Sequence, residues 1–453
     1  MRQMILVGFL QAQNCSNFSA SWRHPNSRTD FMTADFYRHI GRTLEAGKFQ
    51  LAFFDDRLSM PEFQSGKYED AVANGVRCVK MDAFTCMTAI GMATERIGLG
   101  VTYSTTYYEP YHVARAFATL DQLTGGRAAW NIVTSLNDAE ARNMGHAALL
   151  AHDDRYERAD EFLEVVMGHW DTWSDDALVI DKGTGFFAHP EKVKRLDHKG
   201  EFFSSRGPFT VPRSAQGHPV LIQAGQSGRG KRFAAEWGEL IFVYNLGVEA
   251  GKKAYADLKA SCAATGRDPE SMKVSALVYP IVAETRAEAE DKRALIETLP
   301  KEIDSLLLLT EAMNFDFGSK PLDEPFSEEE LNSISGLQTM RDRVMTATGG
   351  RSPTIRDFIE VTGRGRLSNP WVGSAKDVAD KFEEYFTAPT CDGFVVGATT
   401  VPGTYEDFVK FVVPELQRRG LFQTEYVGTT LRENLGLPRP ENGAWRSVKR
   451  HTA

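Results

Sequence analysis

Cysteine is scarce in this chain, long apolar runs are missing, and basic residues are in the minority. The five cysteines, Cys15, Cys78, Cys86, Cys262 and Cys391, are scattered and odd in number, with no C-x-x-C pair. That spacing excludes a disulfide framework and a structural zinc site. No stretch has the length needed to cross a membrane, and Met4–Leu10 is too short for a secretory core. A cytoplasmic location is therefore expected. Lys plus Arg number 52 against 61 for Asp plus Glu, a net charge of −9, which argues against broad nucleic-acid binding. There is no H-E-x-x-H, no G-x-S-x-G elbow and no pair of strand-end carboxylates suited to glycoside cleavage. His146, His152, Asp153 and Asp154 lie close together but read as helix-start residues, so no metal is expected.

What is present is a rhythm of apolar runs and helical stretches. The runs begin at Met4, Leu51, Ile97, Arg127, Pro219, Leu240, Val274 and Gly393. They are continuous rather than alternating, as in strands covered on both faces of a parallel sheet. Helical patterns follow over 33–47, 82–94, 112–124, 154–173, 227–237, 249–264, 287–298 and 375–386, with a further helix over 404–419. An eightfold strand–helix repeat predicts a closed (β/α)8 TIM barrel forming one domain over 1–453. Long insertions are expected at about 174–218 and 299–370, with a C-terminal extension from about 420. Loops of that length are usually arms or lids, and 299–370 is the expected lid.

The most informative segment is LIQAGQSGRGKRFA, from Leu221. An apolar strand enters a glycine-rich turn and then a helix start, which gathers backbone N–H groups and a positive helix end at one point. Such a point suits a phosphate. Gly225, Gly230 and Lys231 begin a G-x-x-x-x-G-K-[ST] pattern, but Arg232 stands where a magnesium-binding hydroxyl is required. A tight turn with no ligand remains the plainer reading.

In a barrel, polar groups at the C-terminal strand ends converge. Here these are Asp55-Asp56, Thr102, Ser104, Asn131, Ser135 and Gln223, beside the aromatics Tyr107 and Tyr108. A flat, hydrogen-bonding, phosphorylated heterocycle would use them all, and FMN fits better than ATP. Each residue also has a plainer role. Asp56 and Ser135 can cap turns, and Arg155 and Tyr156 can pack an amphipathic helix. Asn131 is harder to dismiss, because an amide inside an apolar strand must find partners.

The stretch TYYEPYHVARAFATLDQLTGGRAAWNIVTSLNDAEARNMG, from Thr106, resembles the two-component flavin monooxygenases of the bacterial-luciferase superfamily. The branch is that of the nitrilotriacetate, EDTA and dibenzothiophene sulfone monooxygenases. SWRHP from Ser21, HDDRYERADEFLEVV from His152, PVLIQAGQSGRGKRFA from Pro219 and VPELQRRGLFQTEYVGTTLRENLGL from Val413 are similar to the same branch. The resemblance implies a monooxygenase that uses dioxygen and reduced FMN, supplied by a separate NAD(P)H:FMN reductase, to cleave a C–S, C–N or ring bond in a small molecule. It places Asp56, Thr102, Ser104 and Asn131 around the flavin ring. Ser135, His152, Arg155, Tyr156, Ala224, Gly225, Ser227 and Gly228 fall around the ribityl phosphate. It singles out no catalytic residue. Self-association is expected. Phe9, Trp22, His24, Phe54, Phe242 and Tyr244 are candidates for the substrate pocket. Where the sulfone enzymes carry a histidine in the second insertion, the best match is Thr310. Two other readings keep the cradle: an F420-dependent oxidoreductase and a non-catalytic flavin-binding protein.

Overall fold

The computed structural model describes residues 2–448 except 12, 64, 226, 227 and 246. Eight parallel strands close into a barrel: β1 (Ile5–Gln11), β2 (Leu51–Asp55), β3 (Gly98–Ser104), β4 (Ala128–Val133), β5 (Val220–Gln223), β6 (Leu240–Tyr244), β7 (Lys273–Val278) and β8 (Gly393–Gly397). Closure comes from pairing of β1 with β8, in register from Ile5 with Gly393 to Phe9 with Gly397. The TIM-barrel expectation holds, and each of the eight apolar runs supplies one barrel strand.

Alternation along each strand sorts the side chains into two cores. Ile5, Val7, Leu51, Phe53, Ala129, Val220, Ile222, Leu240, Phe242 and Val395 fill the interior. Their strand neighbours Leu6, Ala52, Phe54, Leu99, Trp130 and Val396 pack outward in the strand–helix layer. Leu431, Leu435 and Leu437 join the interior set from below. The helix Leu431–Leu435 thus stops the N-terminal end of the barrel. Arg432 fastens it by a paired contact with Glu239, at 2.7 and 2.8 Å.

Two elements depart from expectation, both at prolines. The run from Val274 reads as one strand, but β7 ends at Val278. Pro280–Val282 instead pairs with Trp371–Gly373 in a separate two-stranded sheet. Pro280 has no N–H to continue the barrel ladder, and strand starts tolerate that loss. The helix over 404–419 is broken into Gly403–Asp407, a π turn at Phe408–Val412, and Val413–Arg418. Pro414 cannot donate to the carbonyl one turn back, and the π turn takes up the mismatch.

The connection from β7 to β8 carries the helices Glu302–Met313, Glu328–Ser333, Gln338–Ala347 and Ile355–Thr362. They have a core of their own, built on Met313, Phe317, Phe326, Val344 and Phe358. The 174–218 segment forms two short hairpins. One of them exposes Leu178, Val179, Ile180 and Phe187. Among the described residues, no helix is long and apolar enough to cross a membrane.

Candidate active site at the barrel mouth

At the C-terminal ends of the strands the inward positions turn polar. Below them Phe9 stacks on Phe53 at 5.5 Å, and Phe53 meets Phe242 edge-on at 4.8 Å. This aromatic layer is the floor of the mouth. Above it Gln11 donates to the Asp55 carboxylate. Asn131 Nδ2 donates to Thr102 Oγ1 at 2.9 Å, and that hydroxyl donates to the carbonyl of Phe54 at 2.9 Å. The Oδ1 atoms of Asn131 and Asn17 and the Oε1 of Gln11 are buried without a partner among the described residues. Buried acceptors left open in this way are costly unless a ligand supplies donors.

Next to Asn131, Ser104 and Ser135 share a hydrogen bond at 3.0 Å. Ser135 holds φ at 61°, which is unfavourable for a non-glycine residue. Arg155 pins that conformation, donating to the carbonyls of Thr134, at 3.2 Å, and Ser135. Its Nε is a further buried atom with no partner. Tyr156 packs edge-on against Phe233 at 5.5 Å, under the guanidinium of Arg229. The ring of His152 lies 5.1 Å from that of Tyr156, and its Nδ1 bonds the Asp153 carboxylate at 2.8 Å. The helix His152–Trp170, which begins two residues before the expected start at Asp154, therefore packs its first turn against the helix that follows the glycine turn.

The turn itself runs from β5 into the helix Gly228–Trp237. The N–H of Gly225, one residue past Ala224, closes on Gln223 Oε1 at 2.5 Å. A side chain at Gly225 would sit 2.6 Å from Gln223 Nε2 and 3.0 Å from the Cα of Gly230, so Gln223 would have to move, whereas a side chain at Gly228 would meet nothing within 4 Å among the described residues. Tight backbone packing with open space at the helix start is the form of an anion cradle. Ser227 lies outside the described residues.

Asp56 stands just past β2 and faces Lys80, Asp55 and Asp82. Burial pushes its carboxyl up to about 7, against the opposing pull of Lys80 and the N–H of Arg57. Strand alternation turns Asp55, rather than Asp56, onto the barrel axis beside Phe53. The pocket candidates divide. Phe9, Phe242 and Tyr244 lie on the inner side of their strands. Phe54 is in the strand–helix layer, 6.5 Å from Tyr37. Trp22 donates to the carbonyl of Asn74 at 3.2 Å and covers Gly75. His24 is tucked into its own turn, accepting the N–H of Asn26 at 3.1 Å. Phe54 thus faces away from the barrel axis, and Trp22 and His24 are engaged with loop backbone after β1 and β2.

The insertion reaches the mouth through Glu311, which takes Lys80 at 3.0 Å and Arg77 at 3.3 Å. Arg77 also donates to the carbonyl of Asn17 at 2.9 Å, and Asn17 bonds the hydroxyl of Tyr279. One network thus ties the helix Glu302–Met313 to the segments after β1, β2 and β7. Thr310 is occupied within that helix. Its hydroxyl donates to Leu306 O at 2.9 Å and accepts Phe317 N–H at 3.1 Å. Gln11, Asn17, Arg77 and Tyr279 were not among the sequence candidates, and Asp55 was read only as a strand-end group. A polar residue continuing the inward parity of its strand is the signal that marks Gln11 and Asp55.

The sequence profile of the luciferase-like monooxygenases matches residues 14–390. The dibenzothiophene-sulfone monooxygenase of Rhodococcus erythropolis is 42% identical over 444 residues, covering 97% of this chain and 98% of that protein. Component A of the nitrilotriacetate monooxygenase of Aminobacter aminovorans is 40% identical over 427 residues, covering 93% of this chain and 94% of its own. A riboflavin lyase, solved with modified FMN and riboflavin, superposes with a TM-score of 0.88 at 29% identity over 100% of both chains. With a matching barrel, a matching profile and near full-length similarity, the chain belongs to the luciferase-like monooxygenase family and is a flavin-dependent monooxygenase.

Proposed function

We propose that the flavin is FMN, taken up reduced from a separate NAD(P)H:FMN reductase, and that the substrate is a small organic molecule in which a C–S, C–N or ring bond is cleaved. The observation that carries the reading is the buried, unpartnered carbonyl of Asn131, held by Thr102 at the floor of the mouth beside a glycine cradle. A flavin ring offers N–H donors to the first, and its phosphate fits the second. Bound reduced flavin would supply the oxygen-activating chemistry.

The chain's own work is to bind, shield and hold protons. Thr102, Ser104 and Asn131 would hold the ring edge. Ser135, Tyr156, Gly225, Ser227 and Gly228 would hold the tail, with Arg155 fixing the backbone of Ser135. The helix Glu302–Met313, tied through Glu311 to the segment after β2, would limit the entry of water. Asp56, with a carboxyl that titrates near neutrality, can keep a proton on its Oδ atoms or release it.

The test is anaerobic titration with reduced FMN, followed by oxygen uptake with candidate sulfones, thioethers and amines. Substrate-dependent uptake of dioxygen separates this reading from an F420-dependent enzyme and from a passive flavin carrier. Failure to bind FMN sinks it. Asn131→Leu is expected to weaken FMN binding about tenfold while the thermal transition moves little.

The reading extends to a cytoplasmic enzyme that self-associates. The exposed hairpin Leu178–Ala188 supports the latter, because contiguous exposed apolar side chains favour association. Phe187→Glu is expected to lower the mass measured by light scattering, and an unchanged mass removes the hairpin from the contact.

A further inference from the structure

Across the mouth from the cradle, three guanidinium groups gather, and only that of Arg77 meets acceptors among the described residues, Glu311 and the carbonyl of Asn17. In the strand order β1-β8-β7-β6-β5-β4-β3-β2, the cradle lies between β4 and β5. The opposite arc is formed by the segments after β7, β8, β1 and β2. It carries Arg57, Arg77 and Arg364, with the phenol of Tyr279, while Tyr244 ends β6 beside it. Arg57 faces Tyr244, and Arg77 lies within electrostatic reach of both Arg57 and Arg364. Arg364 also lies beside Tyr279.

Arg364 is held firmly. It sits between Gly363 and Gly365, at φ 63° and 74°. A side chain at Gly365 would be 2.8 Å from the backbone N of Ser305. The turn therefore lies flat on the start of the helix Glu302–Met313 and presents one residue, the arginine. Its Nε is buried with no partner among the described residues. Arg57 follows Asp56 at the end of β2, and among the described residues only its backbone N–H, at 2.8 Å from Asp56 Oδ1, is hydrogen-bonded.

Nearby acids balance charge without filling these donors. Arg57 faces Asp55, Glu140 and Glu311. Asp55 is taken by Gln11. Glu140 accepts the N–H groups of Leu58, at 3.1 Å, and Leu136, at 3.0 Å. Glu311 is held by Arg77 and Lys80. A guanidinium has a fork of donors and no acceptor, and its geometry matches a pair of oxygens on one atom.

We propose that Arg57 and Arg364 bind an anionic oxygen group of the substrate, a carboxylate or a sulfur oxyanion, and so select acidic substrates. The inference rests on the monooxygenase reading and names its substrate class. Arg77, locked between Glu311 and Asn17, positions the pair from behind. With the anion held at β1, β2 and β7, the rest of the substrate lies over the floor, between the guanidiniums and the cradle.

The experiment is calorimetric titration of the full-length protein, with and without FMN, using matched probes. (Methylthio)acetate and benzenesulfinate are the anions, and methyl (methylthio)acetate and methyl phenyl sulfone are their neutral counterparts. At least one anion is expected to bind about tenfold or more tightly than its counterpart. Arg57→Gln and Arg364→Gln should each remove that preference while FMN affinity stays within about twofold, and the lysine variants should recover only part of it. Which anion binds separates a carboxylate site from a sulfur oxyanion site. Equal binding of anions and neutral compounds overturns the proposal, as does a preference untouched in both glutamine variants. The comparison in the unaltered protein decides even where a variant fails to fold. Loss of FMN binding with the anion preference intact counts against the flavin assignment and leaves this site standing.

Discussion

Glu311→Gln is expected to destabilise the protein by about 3–5 kcal/mol, because it leaves two buried cations without their counter-charge. Arg77 and Glu311 are both nearly inaccessible, with side chains 6% and 3% exposed, and Lys80 is 11% exposed. Burial pushes the Glu311 carboxyl up, but Lys80, Arg77 and Arg57 together pull it down to about 2. The folded state thus releases this proton more readily than the unfolded chain. Its contribution is complete above the ordinary carboxylate value of 4.5 and is lost as pH falls from there towards 2. Chemical denaturation of both proteins between pH 3 and 7 checks this. Their stabilities should converge at the acid end, and a constant gap across the range would show that lost packing, and not charge, sets the cost. The same substitution frees the helix Glu302–Met313 from the loop after β2. Product formed per oxygen consumed should therefore drop further than FMN affinity does.

Asp56→Asn should act in the opposite sense. Its carboxyl is raised from 3.8 to about 7, chiefly by burial. Here the folded state holds the proton more tightly, so stability falls as pH rises from the unfolded value through about 7, and levels off above it. A shift of that size corresponds to at most about 4 kcal/mol at pH 8. The asparagine variant should lose the downward slope and melt higher than the parent at pH 8, with the two alike near pH 4. If Asp56 holds a working proton, the variant's turnover will also lose any inflection near pH 7. Parallel stability curves for the two proteins would show that the acid is solvated instead.

These two residues also show where sequence reading succeeded and where it stopped. Apolar runs identified every barrel strand, because strands buried on both faces need no polar alternation. That same continuity hid the inward parity. Phe53 and Phe54 look equivalent in sequence, yet Phe53 faces the axis and Phe54 packs against Tyr37, which is why Asp56 was singled out and Asp55 was not. Pro280 and Pro414 were visible, but their effect depends on neighbours that only the closed fold supplies. The strand, glycine turn and helix within LIQAGQSGRGKRFA were legible because they are local and follow one another in sequence. The arc of Arg57, Arg77, Asn17, Tyr279 and Arg364 was not, since its members come from three separate connections. Arg364 in particular occupies an insertion with no register to the barrel, and nothing around G-R-G announces where the turn will land.

The stopper at the base has a consequence for biosynthesis. Ile5 must wait for Gly393 before the first strand gains its outer neighbour, and Leu431, Leu435 and Leu437 arrive later still. Pairings this distant in sequence form slowly. On the ribosome the nascent chain would therefore carry an unsealed, greasy underside until these leucines emerge. Chaperone dependence should concentrate in that interval, and be relieved once Arg432 can reach Glu239.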